Sequence, residues 1–396
     1  MIKSTIRCYA TLTVLFSLGI SFTFPTYVMF LLSRGLNLFE ANLVNAVYFG
    51  TLVLFEIPTG TIADLFGRKI SFVSSCFLMS LGALLYARAH SFWSCALAEG
   101  ITAIGSTFAS GAFQAWVVDR LKHFDYKGSF DVIFAKARQL AIFFGMIGGL
   151  AGAFTADYQI TTPWLMCSAT MFLCGLTALF WMQEEYFTKK KFQWRNTGQA
   201  MKDIVTTSFS HGKSNRAVKF VIATTVLQLF VVMAPNMQWQ PLFSQFLSSK
   251  ASLGFIKAGI SVFLLIGAAM TSTVLRWSKN ERGAIHLAQV IAGLAIVLTV
   301  LPQAFLPAIA AFLIHEIPRG WFDPINNAYL NNNIPSKERA TIISLVAMME
   351  HIGGLAGLIL FGFLGEYFSI PTAWIVAGGI LIVLTICLRN INGRPK

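Results

Sequence analysis

Gly60-Thr-Ile-Ala-Asp64-Leu-Phe-Gly67-Arg68-Lys69 is a short polar interruption between two apolar runs, 39–58 and 70–89. Its glycines permit a tight turn with close helix approach, while Asp64, Arg68 and Lys69 belong to neither run. Each run has about the 20 residues that an α-helix needs to cross a hydrocarbon core about 30 Å thick. The stretch therefore reads as a loop between two membrane-spanning helices.

The same alternation extends outward over all 396 residues. Apolar runs at 8–32, 39–58, 70–89, 92–117, 132–156, 162–183, 217–245, 254–276, 283–302, 307–330, 340–366 and 371–389 predict twelve spans, one to twelve in chain order. Run 8–32 follows Lys3 and Arg7, but it is too long for the apolar core of a signal peptide and reads as a first span. Composition agrees. The chain is 56% hydrophobic and 12% charged, about half the charge of an ordinary soluble protein. A lipid-facing surface explains that deficit; a surface that must be wetted does not. The formal charge of +13 could suit nucleic acid, yet the basic residues lie in short stretches between the apolar runs, so no nucleic-acid partner is expected. The six cysteines sit in or beside the runs without any Cys-x-x-Cys pair, and read as free thiols.

The longest polar segment, Glu184 to Arg216, carries Lys189, Lys190, Lys191, Arg195, Lys202 and Lys213 and separates six runs from six. The expected organisation is an all-α membrane protein: an N-terminal six-helix bundle (1–183), a linker (184–216) and a C-terminal six-helix bundle (217–396). Ile147-Gly-Gly-Leu-Ala-Gly152 in span five recurs unchanged as Ile352-Gly-Gly-Leu-Ala-Gly357 in span eleven. Small residues at this spacing suit close helix packing. Their recurrence at corresponding positions points to two parallel repeats with pseudo-two-fold symmetry. Of the 30 Lys and Arg residues, 25 fall on the side of the N-terminus and only Arg34, Arg88, Lys250 and Lys257 on the other. The positive-inside rule then places both termini and the linker in the cytoplasm.

The quoted loop resembles the signature G-x-x-x-D-x-x-G-R-K/R of the major facilitator superfamily, at the place between spans two and three where that family keeps it. Glu56-Ile-Pro-Thr-Gly60, just before it, is similar to bacterial drug- and metabolite-efflux members. The resemblance implies a conformational latch at Glu56, Gly60, Asp64, Gly67, Arg68 and Lys69, with Asp64 facing the positive N-terminal end of span eleven near Pro335-Ser336. It also implies a bacterial inner-membrane location, a monomer, and a cavity lined by spans one, four, seven and ten. The chain departs from the drug/proton antiporters of the family at two points. Glu99 stands in span four where they carry an arginine, and Gly145-Met-Ile-Gly148-Gly149-Leu-Ala-Gly152 lacks their proline.

An ionisable side chain inside a span costs several kcal/mol, about 2.5–3.5 on insertion scales, so each needs a reason. Span ten reads His315-Glu316-Ile-Pro318-Arg319-Gly-Trp-Phe-Asp323. The i,i+3 and i,i+4 spacings put His315, Glu316, Arg319 and Asp323 along one stripe, and Pro318 invites a kink. Span eleven adds Glu350 and His351 at a similar depth, and Glu99 is a further candidate. One reading is a proton or substrate relay; another is a static paired network that fixes helix packing. Metal coordination is a third, without diagnostic spacing, and no metal site is expected. Tyr27 in span one, with Asn236, Gln238, Trp239 and Gln240 between Pro235 and Pro241 in span seven, are candidates for the substrate cavity; Trp239 equally suits an interfacial anchor. Asp119, Arg120, Lys136 and Arg138 read as a solvated face.

No phosphate loop, nucleophile elbow or zinc-helix motif occurs, so neither an enzyme nor a cofactor is expected. The expected function is a secondary active transporter working by alternating access, exporting a small amphipathic compound with protons as the coupling ion. Transport of a polar metabolite or siderophore is the first alternative. A lipid flippase or a non-transporting sensor on the same fold is the second.

Overall fold

The apolar runs fold as helices throughout the described part of the chain. The computed structural model describes residues 1–187, 215–335 and 338–391, except for the side chains of Asp64, Ala340 and residues 389–391. Most of the expected linker, with Lys189, Lys190, Lys191, Arg195, Lys202 and Lys213, lies outside the described residues, as does Ser336.

Span one is Ile2–Ser21 continued by Tyr27–Ser33, with a 3-10 turn at Phe24–Thr26 where Pro25 interrupts the α-helix. Spans two and three are Leu38–Phe66 and Arg68–Arg88. Gly67 alone separates them, at φ 104°, a value that favours glycine. Span four is Phe92–Ala109 and Ala112–His123, broken at Gly111 with φ 71°. Spans five and six are Phe130–Tyr158 and Thr162–Trp181. Spans seven, eight and nine are Arg216–Ser244, Ala251–Ala269 with the short Thr271–Ser278, and Glu281–Val300. Spans ten, eleven and twelve are Phe305–Asn332, Arg339–Tyr367 and Ile370–Ile391.

Eleven of these segments are long and apolar enough to cross a membrane among the described residues. The twelfth long helix, span ten, carries the charged stripe and Asn326, Asn327, Asn331 and Asn332, which explains its lower apolarity. Pro318 and Pro324 lie inside that helix without ending it. Membrane helices tolerate proline where neighbouring groups satisfy the freed carbonyls.

Among the described residues the chain forms two compact units. The first lies within Met1–Leu36, Val47–Gln199 and Leu247–Ala258, the second within Asn37–Ala46, Ala200–Phe246 and Gly259–Lys396. The start of span two thus packs with the second unit and the start of span eight with the first.

The repeated hexapeptide has one packing role in each unit. A Cβ added to Gly152 of span five would stand 1.9 Å from the Phe22 carbonyl oxygen of span one. A Cβ on Gly357 of span eleven would stand 2.1 Å from the Phe230 carbonyl oxygen of span seven. Only glycine lets these backbones come so close. The cores differ in content. The first unit buries Tyr9, Phe72, Trp116 and the touching thiols Cys76 and Cys174. The second buries Phe220, Trp321, Phe322 and Tyr329. All six cysteines are free, five of them buried.

Candidate functional site

Span seven places Thr225, Gln228, Leu229 and Val232 at i, i+3, i+4 and i+7, on one helix face. Span ten presents Arg319, Phe322 and Asp323 by the same rule, and span eleven contributes Glu350. Together they line a cavity of about 80 Å³ inside the second unit. Liquid water occupies about 30 Å³ per molecule, so the space suits several waters or a small organic group.

Behind this wall lies the predicted stripe. Glu316 is 1% exposed, and both of its carboxylate oxygens accept from Arg319 Nη1 at 2.8 Å. His315 is fully buried, its Nδ1 lies 2.5 Å from the Phe312 carbonyl oxygen, and its Nε2 is 3.6 Å from Glu316 Oε1. Asp323 is exposed, while Glu350 and His351 are half-buried. The structure therefore brings Glu316, Arg319, Asp323 and Glu350 to one place, with His315 adjoining. A buried acid held by one guanidinium at a cavity wall can exchange partners when the cavity's contents change. A buried pair with no such opening could not.

Glu99 lies in the first unit. It is buried and accepts a hydrogen bond from the Tyr86 hydroxyl. Tyr86 stacks on Trp164 with ring centroids 4.0 Å apart, and Phe30 packs 5.1 Å from Trp164. Tyr27 joins this cluster, its ring 6.1 Å from Trp164. Of the span-seven candidates, Gln238 is fully buried, donates to the Phe361 carbonyl at 2.7 Å and accepts from Trp374 Nε1 at 3.1 Å. Trp239 packs parallel to Phe312 with centroids 6.2 Å apart, Gln240 is buried, and Asn236 is half-buried. None of these four is among the residues lining the cavity.

The predicted loop is held inside the first unit by residues outside the motif. Glu184, just beyond span six, accepts from the backbone amides of Arg68 at 2.9 Å and Lys69 at 3.1 Å, so a carboxylate sits on the positive end of span three. Arg68 pairs with Asp119. Gly67 is buried, and a Cβ there would meet Glu184 Oε2 at 2.6 Å. Gly60 has open space around it, Glu56 and Lys69 are half-buried, and the side chain of Asp64 lies outside the described part of the structure.

The solvated-face reading of Arg120 is corrected. Arg120 is 4% exposed and donates to Glu185 at 2.5 Å, Gln183 Oε1 at 2.8 Å and Thr5 Oγ1 at 3.1 Å. Desolvation raises the Glu185 carboxyl, but its own backbone amide and the bond and charge of Arg120 outweigh this and hold it below its usual value. The sequence also passed over Thr225 and Gln228. Their only signal was three polar side chains, Thr224, Thr225 and Gln228, within an otherwise apolar stretch.

A family model described as the Major Facilitator Superfamily matches residues 9–315 and 280–396. The chain is 25% identical over 380 residues to an uncharacterized MFS-type transporter of Bacillus subtilis (strain 168), YxaM, covering 94% of this chain and 92% of that one. Among solved structures, the nucleoside transporter NupG superposes with a TM-score of 0.80 at 12% identity, over 99% of this chain and all of that one. A POT family transporter in complex with a thioalcohol-conjugated peptide superposes with a TM-score of 0.77 at 12% identity, over 98% and 95% of the two chains. At these identities the structural likeness is one of fold.

Proposed function

The chain belongs to the major facilitator superfamily and is an integral membrane transporter, and on that premise we propose that it exports a small amphipathic compound in exchange for protons by alternating access. The observation that carries this reading is Glu316, an acid 1% exposed and held by Arg319 at the wall of a cavity. A carboxylate stripped of water keeps its charge while a guanidinium lies against it. A proton that neutralises Glu316 frees Arg319 to turn into the cavity. Substrate entering the cavity returns Arg319 to Glu316 and expels that proton, so that proton and substrate alternate at the site. Glu350 and Asp323 on the same wall carry the proton between Glu316 and water, with His315 and His351 beside them.

The cavity's mixed lining supports the amphipathic substrate: Leu229, Val232 and Phe322 are apolar, while Thr225, Gln228, Arg319, Asp323 and Glu350 are polar. Export as the direction rests on the resemblance of the second span and its loop. The proposed latch at Glu56, Gly60, Asp64, Gly67, Arg68 and Lys69 sets which side opens. Transport of a polar metabolite is the second reading, favoured by the two carboxylates on the cavity wall.

The test is solute-driven proton movement in proteoliposomes loaded with a pH dye, across a panel of amphipathic and polar solutes. The reading expects a solute that moves protons through the wild type and not through Glu316→Gln. Solute transport in Glu316→Gln with unchanged proton coupling contradicts it.

A further inference from the structure

Most polar residues of the cavity wall are already engaged. Arg319 is held by both oxygens of Glu316 at 2.8 Å, and Thr225 Oγ1 accepts from Asn326 Nδ2 at 2.7 Å. Asp323 and Glu350 each take part in interactions of their own. Gln228 is different. It lines the same cavity and is 9% exposed. Its Oε1 has no hydrogen-bond partner among the described residues, and its Nε2 donates to none of them. A buried amide with neither end paired has lost water at both a donor and an acceptor, which is costly. Beside it Leu229, Val232 and Phe322 form an apolar strip.

A side-chain amide carries its donor and its acceptor side by side, so the group that satisfies both at once has an acceptor and a donor in the mirrored order. From this we infer that the cavity binds a neutral primary carboxamide or lactam with a short apolar body. The carbonyl of the ligand accepts from Gln228 Nε2, its N–H donates to Gln228 Oε1, and its carbon chain rests on the apolar strip. Turning the Gln228 amide over exchanges the two bonds and leaves the match intact. Gln228 is the residue that decides specificity. A ketone satisfies the donor and strands the acceptor. A carboxylate does the same and also brings a charge that must be stripped of water, while the guanidinium of Arg319 is taken by Glu316. An ammonium satisfies the acceptor and strands the donor. This rests on the transporter reading above and names the substrate class of its site.

The probes are butanamide, 2-pentanone, butanoate and n-butylammonium, titrated against the full-length protein in nanodiscs, with thermal stabilisation giving apparent affinities. 2-Pentanone has the shape of butanamide with a methyl group in place of the amide nitrogen. Butanamide is expected to stabilise the wild type at concentrations about tenfold or more below those needed for 2-pentanone or butanoate, the ratio for one hydrogen bond to a buried acceptor. Gln228→Leu should bring butanamide and 2-pentanone to within about twofold of each other, with 2-pentanone bound at least as well as by the wild type. Gln228→Met, an unbranched apolar replacement, gives the same readout if leucine disturbs the packing. The comparison in the wild type needs no variant. Equal binding of butanamide and 2-pentanone by the wild type, tighter binding of either charged probe, no stabilisation by any probe, or a preference that survives in a folded Gln228→Leu or Gln228→Met variant each overturns the inference. Failure here is separable from failure of the transporter reading. Glu316-dependent proton flux driven by a solute without an amide keeps that reading while the carboxamide is lost, and absence of flux with every solute rejects it.

Discussion

The two units share their framework and differ in what they enclose. In the first, span five crosses span one at Gly152 and ends in Asp157, whose carboxylate accepts from the amides of Lys250 at 2.6 Å and Ala251 at 3.2 Å at the start of span eight. In the second, span eleven crosses span seven at Gly357, and Glu366 near its end accepts from the amide of Leu38 at 2.8 Å at the start of span two. Each repeat thus uses a glycine to bring two backbones together and a carboxylate to cap a helix N-terminus. Inside, they part. The first unit closes over Glu99 with stacked Tyr86 and Trp164, whereas the second leaves a cavity beside Glu316 and Arg319. The shared residues build the scaffold, and the cavity beside Glu316 and Arg319 lies where the repeats have diverged.

That comparison breaks most sharply at the buried ion pair. Arg319→Met strands a carboxylate that is 1% exposed, and removing one partner of a buried pair costs about 3–5 kcal/mol. The variant should show the largest loss of thermal stability in this series, and solute-driven proton flux should vanish with it.

Next come the twin crossings. Gly152→Ala and Gly357→Ala each force a backbone apart and should cost about 1–3 kcal/mol in denaturation assays, to similar extents. Gly379→Ala, with nothing within 4 Å of its new methyl group, should be neutral or slightly stabilising. Unequal losses at the two crossings would show that the repeat does not play one role twice.

The caps carry smaller terms. Asp157→Ala and Glu366→Ala should each cost about 1 kcal/mol, as lost helix caps do. Hydrogen exchange should rise at the first turns of spans eight and two respectively.

The smallest effect is a pH dependence confined to the first unit. Because the Glu185 carboxyl is held below its usual value, its contribution to stability is present above the unfolded value of about 4.3. It is lost as the pH falls through the lower folded value. The wild type should therefore lose stability on acidification through that window slightly faster than Glu185→Gln, when melting curves are compared.

Much of the fold was legible because lipid imposes length: an apolar run of about 20 residues has few other uses. The breaks inside expected spans were not. Gly111 interrupts span four and Met270 span eight; Ser110-Gly111 is a turn-type dipeptide hidden by the length of the apolar run around it, and nothing in the local pattern marks Met270. The charged stripe of span ten was legible because charge inside a membrane is expensive. Gln228 was not, because one amide in an apolar run resembles ordinary helix-packing glue, and its orphan carbonyl depends on what the other spans withhold. Arg120 escaped for the opposite reason. Its burial comes from Gln183 and Glu185, more than 60 residues away, so its own helix reads as a basic surface.

The central claim is that proton coupling resides in the second unit, at Glu316. Solute-driven proton flux measured side by side in Glu316→Gln and Glu99→Gln proteoliposomes tests it directly. The account predicts flux lost by about 100-fold or more in Glu316→Gln, as for a required proton-transfer group, and retained within severalfold in Glu99→Gln. Flux preserved in Glu316→Gln and abolished in Glu99→Gln would contradict it and move the coupling site to the aromatic pocket of the first unit.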